Sequence, residues 1–451
     1  MNNLRSALSI IAIMLVSLTY GGVAVVARDS SVSLTMNGAG WMEMGQFVKF
    51  YNKGVERQHQ WIGRSFLDLG MDASIDERIR IGVGLEGKMW LNIPKGGGTG
   101  QALYLHRLNS TFIVDRAYGS YLWGDTGAPF LSVSFGRFPY KYNPEVRNLG
   151  EYLFRSGTYP AYLINNFDLP YARLTGFKIS SNLFEKLHQD LLLTFETDIP
   201  PYYDASLSYI ADYNICKFLD IGAGVEFARL FSVDESQTTP KVSYRDKYVT
   251  TSGDTGYYTF RGTKLMTRFC LSPIDFFRTL LNAPLDFFGK EDCKIYAEAA
   301  VLGLESYPKN DSGNSTISTH NNIWGYDSLL NKIPRAFGFN IPTFKLLDVL
   351  SLEFEYYRCP YANNYYNELG VGPGQSLPIP DFSTYIDYTA DNWKWSVYAK
   401  KMFAHNHFGI IAQFARDHIR TETIVDEGAE IEEALRTNAQ WWWAAKILAQ
   451  F

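Results

Sequence analysis

Between Arg78 and Ile93 the chain reads RIRIGVGLEGKMWLNI, and its apolar side chains fall on every second residue. Ile79, Ile81, Val83, Leu85, Met89 and Leu91 take one set of positions. Arg78, Arg80, Gly82, Gly84, Glu86, Lys88 and Trp90 take the other. A period of two is the mark of a strand with two unlike faces. The same stretch contains Gly82-Val83-Gly84-Leu85-Glu86-Gly87, which satisfies the glycine spacing of a dinucleotide-binding turn. That turn requires a helix to begin at the glycines, so that backbone amides face a pyrophosphate. Here the alternation runs through them unbroken, so they read as one face of a long strand.

The pattern recurs along the chain. FLDLGMDASI sets Leu67, Leu69, Met71, Ala73 and Ile75 against Asp68, Gly70, Asp72 and Ser74. LDIGAGVEF, LSLEFEY, NWKWSVYAK and HFGIIAQFARD repeat it. The apolar faces run for about ten residues, the length a tilted strand needs to cross a bilayer, whereas strands of soluble sheets are nearer 5–6. Sixteen strands are predicted, at 40–51, 64–75, 77–91, 111–123, 129–139, 171–180, 188–196, 204–213, 217–231, 256–271, 291–304, 332–341, 350–359, 390–403, 408–419 and 440–451. Short and long connections alternate between them. In hydrocarbon every backbone amide and carbonyl must be paired, so a sheet spans only if it closes on itself. The expected fold is therefore all-β: a transmembrane antiparallel β-barrel of about 16 strands, with short periplasmic turns and long extracellular loops. The composition agrees, with 16% aromatic and only 20% charged residues.

The first 27 residues form their own unit. One arginine, Arg5, precedes an apolar run from Ala7 to Leu18, and Val25-x-Ala27 suits signal-peptidase cleavage after Ala27. The run of about 12 residues is short of the roughly 20 a spanning helix needs. Residues 1–27 are thus expected to be a signal peptide and 28–451 the barrel. The formal net charge of −5 gives no sign of a nucleic-acid partner. Cys216, Cys270, Cys293 and Cys359 contain no C-x-x-C pair; disulfides and free thiols both remain open. On the short-turn side, residues 272–290 break the rhythm. Ser272 as cap, Pro273 in the first turn and Asp275 completing a capping box predict a short periplasmic-side helix, packed at the rim or docking a partner.

The last strand, QWWWAAKILAQF, alternates back from Phe451 through Ala449, Ile447, Ala445, Trp443 and Trp441. A terminal phenylalanine on such a strand resembles the assembly signal of bacterial outer-membrane barrels, with Trp441, Trp443 and Phe451 as its residues. Trp441 to Trp443, Trp90, Trp123, Trp393 and Trp395 stand near strand ends, where interfacial aromatic girdles lie. On these features the chain resembles the porins. LSVSFGRFPYKYN, Leu131 to Asn143, is similar to a strand end of phosphate-selective porins, but no Lys/Arg ladder accompanies it. The resemblance implies an outer-membrane location in a Gram-negative-type bacterium, no cofactor, and contact with outer-membrane lipid, lipopolysaccharide and the barrel-assembly machinery. It also implies a possible homotrimer. It further implies that the third long loop, 140–170, folds inward as a constriction, the alternative being a surface loop. That loop carries Lys141, Glu145, Arg147, Glu151 and Arg155. Facing wall residues are expected at Arg78, Arg80, Glu86 and Lys88, with Glu353, Glu355, Lys394 and Lys400 as further pore-lining candidates. Opposed charges across a constriction would set a transverse field that sorts ions.

Enzyme motifs are missing: there is no G-x-S-x-G, H-E-x-x-H or P-loop. His405 and His407 sit in a tight turn whose i, i+2 spacing could bind a metal, and DEGAEIEE, 426–433, could attract divalent cations that bridge lipopolysaccharide, but both are read as solvated loops and no metal site is expected. The function expected is a non-catalytic, water-filled porin passing small hydrophilic solutes or ions. Two other readings are a transporter of hydrophobic ligands, and a structural or adhesive barrel with a filled interior whose loops 232–255, 305–331 and 360–389 bind.

Overall fold

In the computed structural model, residues 25–28, 32–52, 55–93, 109–155, 171–184, 186–197, 202–233, 247–249, 255–257, 261–281, 284–305, 328–358, 392–425 and 428–450 are described. Residues 1–24 of the expected 1–27 leader, Phe451 and most of the longest loops lie outside them. Sixteen strands form the wall: β1 (Val32–Asn52), β2 (Val55–Ile75), β3 (Ile79–Ile93), β4 (Asn109–Asp125), β5 (Ala128–Tyr140), β6 (Ala172–Phe184), β7 (Leu187–Phe195), β8 (Ala205–Cys216), β9 (Leu219–Phe231), β10 (Gly262–Leu271), β11 (Ile295–Val301), β12 (Arg335–Asn340), β13 (Val349–Tyr356), β14 (Trp393–Phe403), β15 (Phe408–Arg416) and β16 (Trp441–Gln450). Each pairs antiparallel with the next. The ring closes where β1 pairs β16, from Ala39↔Gln450 to Lys49↔Trp441. Among the described residues the sixteen-strand ring is left with no open edge, which is what a sheet in lipid requires. No described helix is long and apolar enough to cross a membrane.

At one end the strands join through 76–78, 126–127, 185–186, 217–218, 272–294, 341–348 and 404–407. Longer connections, such as 141–171, 302–334 and 357–392, lie at the other. The predicted strand centres all fall on observed strands, but β1 and β2 are much longer than the sequence suggested. They begin at Val32 and Val55 rather than 40 and 64, and pair along their whole length. The short piece Val25–Arg28 continues the ladder on β1. In the loop before β16, the acidic stretch is half of a hairpin, with Gly428–Glu433 pairing Arg420–Val425.

The wall has the two faces that the alternation demands. Ile79, Ile81, Val83 and Leu85 on β3 point outward and are exposed, as are Phe135 on β5, Phe177 and Ile179 on β6, Phe337 on β12 and Ile447 on β16. This apolar exterior is the kind of surface that a transmembrane barrel turns to lipid. Trp61 packs edge-on against Trp443 at 5.7 Å, and Tyr356 tilts on Trp393 at 4.8 Å and Tyr121 meets Trp123 at 4.5 Å near strand ends. Trp442 differs from its neighbours Trp441 and Trp443. It faces inward, buried, and donates through Nε1 to Asp417 Oδ1 at 3.0 Å. Strand parity decides this, because neighbours on a strand face opposite ways.

Helix α1 (Tyr152–Arg155) lies in the connection after β5, and α2 (Pro273–Leu281) in the one after β10. At the start of α2, Ser272 Oγ donates to Asp275 Oδ2 at 2.6 Å and Phe276 packs edge-on against Phe218. Phe277, Leu280 and Leu281 remain exposed. Cys216, Cys270 and Cys293 are not joined to one another, and Cys359 lies outside the described residues.

Candidate functional site: a divided bore

The connection 141–155 leaves β5 and is fixed to β13, eight strands away around a ring of sixteen. It therefore crosses the bore. The attachment points are wall carboxylates, all nearly inaccessible to solvent. Glu353 on β13 accepts three consecutive backbone amides: Arg147 N at 2.6 Å on Oε1, and Asn148 N and Leu149 N at 2.8 Å each on Oε2. Tyr296 Oη on β11 adds a fourth bond, at 2.8 Å to Oε1. Glu298 on β11 accepts Tyr142 Oη (2.7 Å), Asn143 Nδ2 (2.8 Å), Glu151 N (3.0 Å) and Tyr152 N (2.9 Å). Glu355 takes the Tyr152 hydroxyl at 2.8 Å and lies 2.6 Å from His418 Nε2. Consecutive amides converging on one carboxylate form an anion nest, here filled by the protein's own side chain.

The crossing segment packs against the wall on one side of the bore. Tyr142, Tyr152 and Leu153 join Phe138 and Tyr140 of β5, Leu192 of β7, Ile210 of β8, Met266 of β10 and Ala336 of β12 in one apolar cluster. The other half, from β14 around to β4, keeps a recess of 490 Å³. Asn37, Asp68, Asp72, Arg116, Tyr118 and Gln450 line it, with the 405–407 turn.

Four large polar side chains on these inner walls share one kind of support, a glycine on the next strand. Arg116 on β4 is in register with Gly84 on β3, Gly70 on β2 and Asn37 on β1. It lies across both glycines, donating to Asp68 Oδ2 at 3.0 Å and Asn37 Oδ1 at 2.7 Å. In the next row Tyr118 lies over Gly82, beside Asp72. On the packed side Arg268 reaches over Gly222 to Asp212 (2.9 Å), and Tyr296 reaches over Gly338 to Glu353. This gives the role of the first two glycines of the G-x-G-x-x-G string: they are the floor beneath Arg116 and Tyr118. Gly87, on the outer face, lies beneath the Phe112 ring.

The sequence-selected charges divide among several places. Glu86 is fully buried on the inner wall, 3.2 Å from Lys88 and 3.3 Å from Arg173. Arg80 is exposed and reaches Thr126 O at the turn end of the bore, and Arg78 belongs to the 76–78 turn rather than to a strand. Lys394 is buried on Leu435 O, and Lys400 is half-buried on the inner face of β14. Glu353 and Glu355 lie under the crossing segment, not on open lumen. The loop charges do not confront β3 as the expected transverse arrangement has it. Glu145 bonds Lys294 at 3.1 Å, Arg147 bonds Glu291 at 2.8 Å, Lys141 donates to Val146 O and Arg155 to Asn148 O. Glu151 accepts Asn143 N. Burial pushes the Glu151 carboxyl up to about 8, with the Glu298 charge adding to the rise, and burial brings Lys141 down to about 8.

Several site residues escaped the sequence reading: Asp68, Asp72, Arg116, Tyr118 and Glu298. Asp68 and Asp72 were visible as the polar half of an alternating strand. Arg116 and Glu298 carried no local signal, since their partners are set by register.

No protein-family model matches the sequence, and no curated protein matches it. Among solved structures, OmpF of Salmonella typhi in complex with daunomycin is similar, at 10% identity and a TM-score of 0.47, over 94% of this chain and 99% of that one. A triple mutant of the Rhodopseudomonas blastica porin is similar at 7% identity and a TM-score of 0.43, over 93% of this chain and all of that one. Such identities say nothing of a shared activity. The closed barrel of sixteen antiparallel strands stands on its own pairings.

Proposed function

We propose that this barrel is an outer-membrane channel through which small hydrophilic solutes and ions diffuse passively, and that it catalyses no reaction. The observation that carries the reading is the divided bore: an apolar exterior encloses a wall of charges, and one half keeps a polar recess beside the crossing segment. A charged, solvated inner wall suits a water-filled path, because lipid rejects the same groups. On this reading residues 28–451 make the barrel and 1–27 the export signal, and 140–170 is the constriction element. Arg80, Glu86 and Lys88 belong to the wall of the path together with Asp68, Asp72 and Arg116. Trp441, Trp443 and Phe451 form the assembly signal, the long loops face outward toward lipopolysaccharide, and a homotrimer is the assembly.

The test is reconstitution of the folded barrel into planar bilayers. Stepwise ohmic conductance is the expected result, and a correctly folded barrel that inserts without it defeats the proposal. A second reading, a structural barrel with a closed interior, draws on the apolar cluster on the other side of the bore. The same recording decides between them.

A further inference from the structure

Arg116 and Tyr118 project inward from β4 into the half of the bore that stays open, yet neither stands out into it. The register explains why. Asn37, Gly70, Gly84 and Arg116 form one row across β1–β4, and Asp72, Gly82 and Tyr118 lie in the next. A methyl group on Gly84 would come within 2.7 Å of Arg116 Cγ and 2.9 Å of its Nε. One on Gly82 would come within 2.5 Å of Tyr118 Cε1 and 2.8 Å of Asp72 Oδ1. On Gly70 it would overlap Arg116 Nη2 and Asn37 Oδ1 outright. All three would occupy the space the side chains now use to lie along the wall. At ordinary inner-wall positions a side chain keeps its neighbours upright. Here two bare positions, Gly84 and Gly70, let a guanidinium reach two strands over to Asp68 and three strands over to Asn37, while Gly82 does the same service for Tyr118.

We propose that Gly70, Gly82 and Gly84 set the aperture and charge preference of the passage, by keeping Arg116 and Tyr118 flat. This inference rests on the channel reading. With the floor intact, the recess presents the carboxylates of Asp68 and Asp72, and the single guanidinium is drawn back among them. A side chain added to the floor displaces Arg116 in the one direction free of wall, toward the path. That narrows the bore and advances a positive charge, which repels cations and attracts anions. At Gly70 the atoms that must give way are the ends of two flexible side chains, so the strand ladder is not forced apart.

The experiment records wild type, Gly70→Ala, Gly84→Ala, Arg116→Ala and the Gly70→Ala/Arg116→Ala double variant in planar bilayers, under symmetric salt and under a salt gradient. Folding of each is checked by its heat-dependent gel mobility. Gly70→Ala is expected to lower conductance by about twofold and to move the reversal potential toward anion preference. Arg116→Ala alone moves both the other way, and added to Gly70→Ala it restores wild-type conductance or more. A folded Gly70→Ala or Gly84→Ala barrel with wild-type conductance and reversal potential overturns the inference. So does a conductance loss that Arg116→Ala fails to relieve. If Gly70→Ala and Gly84→Ala do not fold, Arg116→Ala alone decides: unchanged ion preference refutes the role given to its charge. A folded wild-type barrel that never conducts removes the channel reading itself, and this inference with it.

Discussion

Replacing Glu353 by glutamine tests whether the crossing segment is held by charge or merely fills space. Each carboxylate oxygen takes two bonds: Oε1 from Arg147 N and Tyr296 Oη, and Oε2 from Asn148 N and Leu149 N. Glutamine keeps one oxygen and sets an NH2 against the other two donors. Two bonds to a charged acceptor, at about 1.5–3 kcal/mol each, are lost. Allowing for water entering the gap, local detachment of 147–149 becomes easier by about 3 kcal/mol, or roughly 100-fold in the detached population. The sixteen-strand ladder is untouched, so global unfolding should hardly change. Amide hydrogen exchange in detergent micelles reads the effect directly and needs no channel activity. The amides of 147–149 should exchange about two orders of magnitude faster in Glu353→Gln, and single-channel records should show added closures. Glu355→Gln, whose carboxylate meets Tyr152 and His418 rather than the amides of 147–149, is the control and should leave those three amides protected. If Glu353→Gln exchanges 147–149 at the wild-type rate, the carboxylate nest does not hold the segment.

Three further outcomes are expected. Leu85→Arg puts a charge in the middle of the apolar exterior of β3, where Leu85 is 54% exposed; it should cost about 2–4 kcal/mol in denaturant titrations of vesicle-folded protein, and no cost would place that face away from lipid. Glu43→Ala removes the buried carboxylate that two cations share, since Glu43 bonds Arg64 at 2.5 Å and Lys446 at 3.1 Å. A loss of about 3–5 kcal/mol is expected, read as a lower temperature for the heat-dependent gel shift, and an unchanged temperature would contradict it. Glu151, with its pKa raised to about 8, binds its proton more tightly in the folded loop than in a detached one. Its contribution is present in full below about 4.5 and fades as pH rises toward 8. Exchange protection of 141–155 should therefore fall across that window, and Glu151→Gln should flatten the fall; a slope that survives the substitution assigns the dependence elsewhere.

Much of the wall was legible because alternation is a local property. Any segment with one face in lipid and one in water must repeat every two residues, so strand centres and the inward or outward sense of each residue followed from the string itself. Strand ends did not. β1 extends through VSLTMNGA, a short stretch in which Val32, Leu34 and Met36 alternate with Ser33, Thr35 and Asn37 and which is paired with Asp68–Ile75; β2 extends through VERQHQWIG, which begins without an apolar period and is held as strand by pairing with Met44–Asn52.

The bore was decided in three dimensions. Glu353 and Glu355 read as lumen charges until the fold placed the amides of 147–149, some 200 positions away in the chain, over Glu353 (separation 206 for Arg147). A carboxylate looks the same in sequence whether it faces water or a ring of N–H groups. The glycines at 82 and 84 likewise announced a strand and excluded a nucleotide turn. What lies above them depends on which residue of β4 stands opposite, and a shift of one residue would have replaced Arg116 with an outward side chain. Periodicity sets which way each side chain points. Only register and closure set what it meets there.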